Sequence, residues 1–280
     1  MIQLPIIGSF LEATGTILEK KVLRDKRMNY KNYTVYEFAA IILIMLTFIW
    51  FVWGLKPEAL TPTNILIFAF VVIIATLANL FIFYSLKREN VTEFEPIWVM
   101  QPLFTILLAF ILFSGERNWI IFALALIASL SLVISHIEKH HLKFDKYIIA
   151  ALVGSFLFAV ELVASKPLLP HYSPFSFYFL RCVFIFIITF LIYRPNFKKI
   201  GKTNIIMILA IGLIWALYRA IIYYGYESVG IIFTTIIFIL SPVLMFIFAV
   251  VFLKEKPTMR QIISTIIIVI CVALAITIKN

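Results

Sequence analysis

The chain has 280 residues, of which 63% are hydrophobic and only 14% charged, and it carries a formal net charge of +10. An ordinary soluble domain is about 25% charged, so a water-soluble fold of this length has nowhere to hide so much Leu, Ile, Val and Phe. The basic surplus is dispersed over short connections, which argues against a nucleic-acid surface.

A helix needs roughly 20 apolar residues to cross ~30 Å of hydrocarbon. Ten such runs follow one another, at 2–18, 35–53, 63–86, 96–113, 119–135, 147–165, 174–193, 204–224, 231–253 and 261–278. Barrel strands would show about ten alternating residues instead, so the expectation is an all-α membrane protein. The first run is short and interrupted by Glu12. It lacks a basic start and a small-residue cleavage site, and is expected to stay in the mature protein rather than act as a signal peptide. The longest connection, residues 19–34, cannot hold a folded catalytic domain. Trp50, Trp53 and Trp119 fall at span ends and read as interfacial anchors. Cys182 and Cys271 sit inside spans without CxxC spacing, so no disulfide or thiolate metal site is expected. The segment HIEKHH at 136–141 places His136 and His140 four apart. Four histidines in the chain are too few for a di-iron box, and the segment reads as a polar linker without a metal.

The chain also repeats itself. GSFLEATGTILEKKVL at 8–23 matches GSFLFAVELVASKPLL at 154–169. NILIFAFVVIIATLANLFIFY at 64–84 aligns without a gap to NIIMILAIGLIWALYRAIIYY at 204–224, and the register continues to Pro102 and Pro242. Apolar helices match Ile and Leu by chance, but rarely Gly, Asn, Tyr and Pro together. The expected organisation is a first five-helix repeat at 1–135, a linker at 136–146 and a second repeat at 147–280. Five is odd, so the second half must run through the membrane in the opposite sense. Charges agree: the loop after the first span holds Lys20, Lys21, Arg24, Lys26, Arg27 and Lys31, and its counterpart after the sixth only Lys166. Of 24 Lys and Arg, Arg181 and Arg219 fall inside spans, Lys56, Arg117, Lys166 and Lys279 on one face, and the remaining eighteen on the other. The positive-inside rule makes the loops after spans 1, 3, 5, 7 and 9 cytoplasmic and leaves both termini outside.

The segment SPVLMFIFAVVFLKEK at 241–256, with Glu255 thirteen residues after Pro242, and its weaker copy QPLFTILLAFILFSGE at 101–116, with Glu116 fourteen after Pro102, resemble a recurrent pattern of the EamA-like ten-helix members of the drug/metabolite transporter superfamily. The resemblance covers essentially the whole chain. It implies a carrier of metabolites, amino acids, nucleotide-linked sugars or drugs, often working by exchange or proton coupling. Many members carry Trp-Gly ahead of a lysine in the first span, where this chain has Leu11-Glu12 before Lys20. Many are thought to have cytoplasmic termini, opposite to the charge count here.

Carriers built of inverted repeats place the solute near the midplane between the halves, and intramembrane charges mark such sites. The candidates are Glu12, Glu161, Arg181 and Arg219, the last matched by Asn79 in the repeat. Beside them stand Gln101, Trp215, Tyr218 and Ser241 as polar or aromatic lining. The bland alternative is that Glu161 and Arg181 only neutralise one another. Glu37 aligns approximately with Arg181 but falls near a span end and reads as an interfacial charge. Pro102 and Pro242 each remove an i→i−4 hydrogen bond and are expected to kink their helices.

The reading is a ten-span secondary transporter with a 5+5 inverted-topology repeat, exporting or exchanging a small organic solute by alternating access, with protons as a coupling ion. It is expected to be a monomeric, multi-pass protein of the plasma or inner membrane without a cofactor. No GxxxxGK[ST] loop for ATP is present. The alternative is a membrane-embedded enzyme acting on a lipid-linked substrate.

Overall fold

The computed structural model describes residues 3–88, 97–136, 145–196, 200–244 and 258–279. Ten helices succeed one another in these segments. They are α1 (Gln3–Leu23), α2 (Tyr30–Leu46), α3 (Pro62–Arg88), α4 (Met100–Leu112), α5 (Trp119–His136), α6 (Lys146–Ser165), α7 (Pro174–Tyr193), α8 (Lys202–Ser228), α9 (Ile231–Phe238) and α10 (Met259–Lys279). A short helical turn, Ile49–Val52, prolongs the second span after a break. Residues 137–141 of the histidine-rich linker and Glu255 lie outside the described residues.

Helices α3, α6, α7, α8 and α10 are long and apolar enough to cross a membrane, while α4, α5 and α9 are shorter apolar helices. Leu66, Ile206, Ile111 and Leu191 are exposed on the outside. This inverts the usual economy of a soluble protein, because lipid accepts apolar side chains but offers no partner for peptide groups, and the helix satisfies those internally. Helix starts use side-chain oxygens: Asn29 accepts from the Lys31 N–H, Asp145 from those of Tyr147 and Ile148, and Ser173 from that of Ser176.

α1 continues to Leu23, past the polar Glu19-Lys20-Lys21 at which the apolar run stops. Lys20 is buried and its Nζ donates to the Leu86 carbonyl in the last turn of α3. That carbonyl belongs to the set a helix end leaves without an internal partner. α2 likewise starts earlier than its hydropathy suggests, at Tyr30.

The packing has the symmetry of the repeat. α3 packs on α6 as α8 packs on α1, α2 on α8 as α7 on α3, and α4 on α6 as α9 on α1. The pairs α2–α7, α4–α9 and α5–α10 are each their own image. Exchanging the two halves therefore reproduces these helix contacts, which is a pseudo-two-fold relation. Its axis lies in the membrane plane, because each half contains an odd number of spans. The loops obey the same parity. Asp25, after α1, meets Asn204 at the start of α8, while Leu55, after α2, forms an antiparallel bridge with Tyr172, after α6. Among the described residues, the loops after α1 and α7 share one face and those after α2, α4, α6 and α8 the other.

One close approach depends on glycine. A Cβ at Gly212 of α8 would lie 2.9 Å from the Ala40 carbonyl carbon and 3.0 Å from the Ile41 nitrogen of α2. Backbone rather than flexible side chain stands there, so no larger residue fits without moving a helix.

Candidate functional site

Two helices are interrupted at matching positions. The helical course breaks at Val99 and again at Ile239, in each case three residues before a proline, Pro102 or Pro242. The proline nitrogen offers no hydrogen to the carbonyl four residues back, at Trp98 or Phe238. Both breaks border a cavity between the halves, with a volume of about 90 Å³ measured as room for the centre of a water molecule.

The cavity wall repeats as the chain does. Asn79 and Arg219, Ile82 and Ile222, Leu86 and Tyr226, Trp98 and Phe238, and Pro102 and Pro242 all line it. Each is a pair in the register that joins residues 64–84 to 204–224. Glu12 and Phe158, matched through the first-span repeat, line it as well. The cavity thus straddles the pseudo-two-fold axis, where the two halves move against each other in any rocking motion.

The charges fall into two groups. Glu161 is fully buried behind the wall. Its carboxylate accepts from Arg181 Nη1, from the Tyr223 hydroxyl at 3.0 Å and from Arg219 Nη1 at 3.4 Å. Arg181 also lies over the Tyr178 ring, 4.9 Å from its centroid, and Arg219 over Phe158 at 5.2 Å. Both arginines line the cavity, so one carboxylate anchors two guanidinium groups from behind. Removing one partner of such a buried pair costs about 3–5 kcal/mol, because a charge is left uncompensated in low dielectric.

The second group is acidic and has no arginine in hydrogen-bond contact. Glu12 of α1 faces Tyr218, Ser241 and Trp98. Glu19 accepts from the Trp215 indole Nε1 at 2.7 Å. Glu37 of α2 abuts Glu19 and is 3% exposed. It is not at an interface: α2 begins two turns before it, which carries the side chain into the cavity wall. The hydropathy of the preceding Tyr-Lys-Asn-Tyr-Thr conceals those turns, although the alignment of Glu37 with Arg181 was the sign that both occupy one place in the repeat.

Of the residues singled out in the sequence, Glu12, Asn79, Gln101, Arg181, Trp215, Tyr218, Arg219, Pro102 and Pro242 come together around the cavity. Asn79 donates to the Ala75 carbonyl at 2.7 Å and Gln101 to the Thr105 hydroxyl at 2.8 Å. Glu161 and Ser241 do not line it. Ser241 is turned to the Ser9 carbonyl at 3.0 Å, tying α9's continuation to α1.

On the even-loop face the halves are latched. Glu116, at the end of the first-half motif, receives the Ile231 N–H at 2.8 Å on Oε1 and the Ile232 N–H at 3.2 Å on Oε2. It therefore caps α9 from the other half, where the helix carries partial positive charge. Lys166 pairs with the same carboxylate. Gly230 makes the capping possible. Its φ of +99° suits glycine, and a Cβ there would sit 2.8 Å from Glu116 Oε1. Alongside, the Lys56 N–H donates to the His171 carbonyl at 2.9 Å and the Ser173 N–H to the Gly54 carbonyl at 2.8 Å. Nothing in the local sequence announced this latch, since its partners lie 50 to 116 residues apart.

Ten helices in two inverted halves around a charged cavity define the class of multi-pass membrane transporters of the drug/metabolite type. The model of the EamA-like transporter family matches residues 1–136 and again 145–277. The chain belongs to that family. A solved structure titled only as a crystal structure of a protein superposes with a TM-score of 0.72 at 17% sequence identity, covering 99% of this chain and 96% of that one. At that identity the likeness shows the shared fold alone. No curated protein matches the chain.

Proposed function

We propose that the protein is a secondary carrier that exports or exchanges a small organic solute through the central cavity by alternating access. The observation that supports this most directly is the wall built from repeat-related residues, Asn79 with Arg219 and Pro102 with Pro242. A site on the axis between two inverted halves meets each face of the membrane through the same rearrangement run in opposite senses. The latch of Glu116, Lys166 and the start of α9 is the contact that must break to open the even-loop face. The acidic groups of the cavity give protons a place in the cycle, and the energy comes from solute and ion gradients. The basic loops after odd-numbered helices favour the cytoplasm for that face, and the reading is of a monomer in a plasma or inner membrane.

The test is counterflow. Purified protein in proteoliposomes preloaded with unlabelled solute is offered the same solute in labelled form, across amino acids, amines, sugar phosphates and nucleotides. Saturable, transient accumulation of one solute above equilibrium supports the carrier. Non-saturable flux in every case speaks for a channel. A chemical change in the solute recovered from the vesicles speaks for an enzyme.

A further inference from the structure

Four carboxyl groups and two guanidinium groups cluster at the cavity, and they do not cancel evenly. Glu161 takes up both Arg181 and Arg219. Glu19 and Glu37 are left against each other, from different helices, and the Trp215 indole donates to Glu19. Glu37 Oε2 is buried and accepts a bond from no donor group. Two carboxylates in contact, with water largely excluded, cannot both remain ionised, since like charges at such range favour holding one proton in common. An unpartnered acceptor oxygen also lacks the hydrogen bond that buried polar groups normally have.

We propose that Glu19 and Glu37 form a shared-proton carboxyl pair that is the binding site for the ammonium head of an amine solute, which displaces that proton on binding. This rests on the carrier reading above and names its substrate class. The ammonium group supplies the N–H donor that Glu37 Oε2 lacks and the positive charge that the pair lacks once the proton is gone. The proton leaves to water, so one cation replaces another and the site's net charge is conserved. The apolar body of the solute lies against the rings of Trp215, Phe38 and Phe83, which border the same cavity. Cation and ring face attract as well.

The surroundings favour a cation here. From α2 the pair is faced by Tyr33, whose hydroxyl is directed at Glu19. Arg181 of α7 and Arg219 of α8 act on it from a distance, and both are held by Glu161. Tyr178 and Cys182 of α7 sense the charge of Glu37, and Glu12 lies further along α1. α3 presents Asn79 and apolar side chains, with Lys87 turned away to the Leu23 and Asp25 carbonyls. No lysine or histidine is among the residues lining the cavity.

The experiment is calorimetric titration of purified protein in nanodiscs with 2-phenylethylammonium chloride at pH 7, in two buffers of different ionisation enthalpy. Phenylacetate serves as the anion of matching body. The expected result is saturable binding of the amine with release of about one proton per site, and no binding of phenylacetate. Glu37→Gln and Glu19→Gln keep the size of a protonated carboxyl, and each abolishes proton release and weakens binding about tenfold or more. Infrared spectra of the unliganded protein should show a protonated carboxylic acid carbonyl that disappears in Glu37→Gln. Absence of amine binding overturns the ammonium site. Amine binding without proton release, or release unchanged in both variants, overturns the shared proton. Neither depends on transport, so counterflow of a different solute would leave the carrier standing while this site fell.

Discussion

Replacing Glu116 by glutamine keeps the side chain's length and one acceptor oxygen but removes its charge. In the native latch each carboxylate oxygen serves its own backbone donor, Oε1 for Ile231 and Oε2 for Ile232. Glutamine offers one oxygen, so one of the two N–H groups is left facing an amide NH₂. A buried donor deprived of its acceptor costs about 1–3 kcal/mol. Loss of negative charge at a helix start adds up to about 1 kcal/mol. The Lys166 pair adds little, since the lysine side chain is 27% exposed. Together the closed even-loop face loses roughly 1–4 kcal/mol, and the face-closed population falls about 5- to 1,000-fold relative to the open one. Spin labels at Gly115→Cys and His171→Cys, one in each half on that face, report this in nanodiscs once Cys182 and Cys271 are replaced by alanine. The expected outcome for Glu116→Gln is a second, longer distance population that is absent from the parent. An unchanged single distribution, with the melting temperature also unchanged, would show that the carboxylate is no latch.

Gly230→Ala should act in the same direction, because its Cβ falls on Glu116 Oε1 and its φ is strained for any L-residue, at a cost of about 1–3 kcal/mol; the same spin-label pair reads it. Glu161→Gln should lower the melting temperature sharply, by the about 3–5 kcal/mol of a broken buried pair, and Glu161→Gln with Arg181→Gln should recover part of that loss; a single variant as stable as the parent would contradict the anchoring role. On the odd-loop face, the Arg27 N–H and Asn204 side chain hold the Asp25 carboxyl below its usual range. Its contribution to stability is therefore present above the unfolded pKa near 4 and lost as pH falls through the lower folded value. Asp25→Asn should remove that part of the pH dependence of melting below about pH 4, and an unaltered profile would argue against it.

Much of the architecture was legible because it is written twice. The register carrying Asn79 to Arg219 and Pro102 to Pro242 foretold which residues would meet on the axis, and loop parity foretold which loops would share a face. Which way a buried charge points was harder to read. Where a helix is apolar on every side, hydropathy does not distinguish the cavity face from the face behind it, so Glu161 reads like Glu12 although it serves the arginines from outside the wall. Glu37 was obscured by the polar first turns of α2, and Glu19 by the lysines after it. The Glu116 cap joins residues whose nearness exists only in three dimensions.

The halves share a register but not every residue in it. At the place where Gly212 lets α8 lie directly on the backbone of α2, the first repeat has Val72. The mirrored arrangement would need α3 to approach α7 as closely, and the isopropyl group of Val72 stands in the way. In the alternating-access cycle proposed above, the two end states would therefore be unequal in energy before any solute arrives, with the empty protein favouring one side. The direction of that bias would follow from which repeat carries the glycine and which the valine. Gly212→Val should level it, leaving a carrier with little preference for either face.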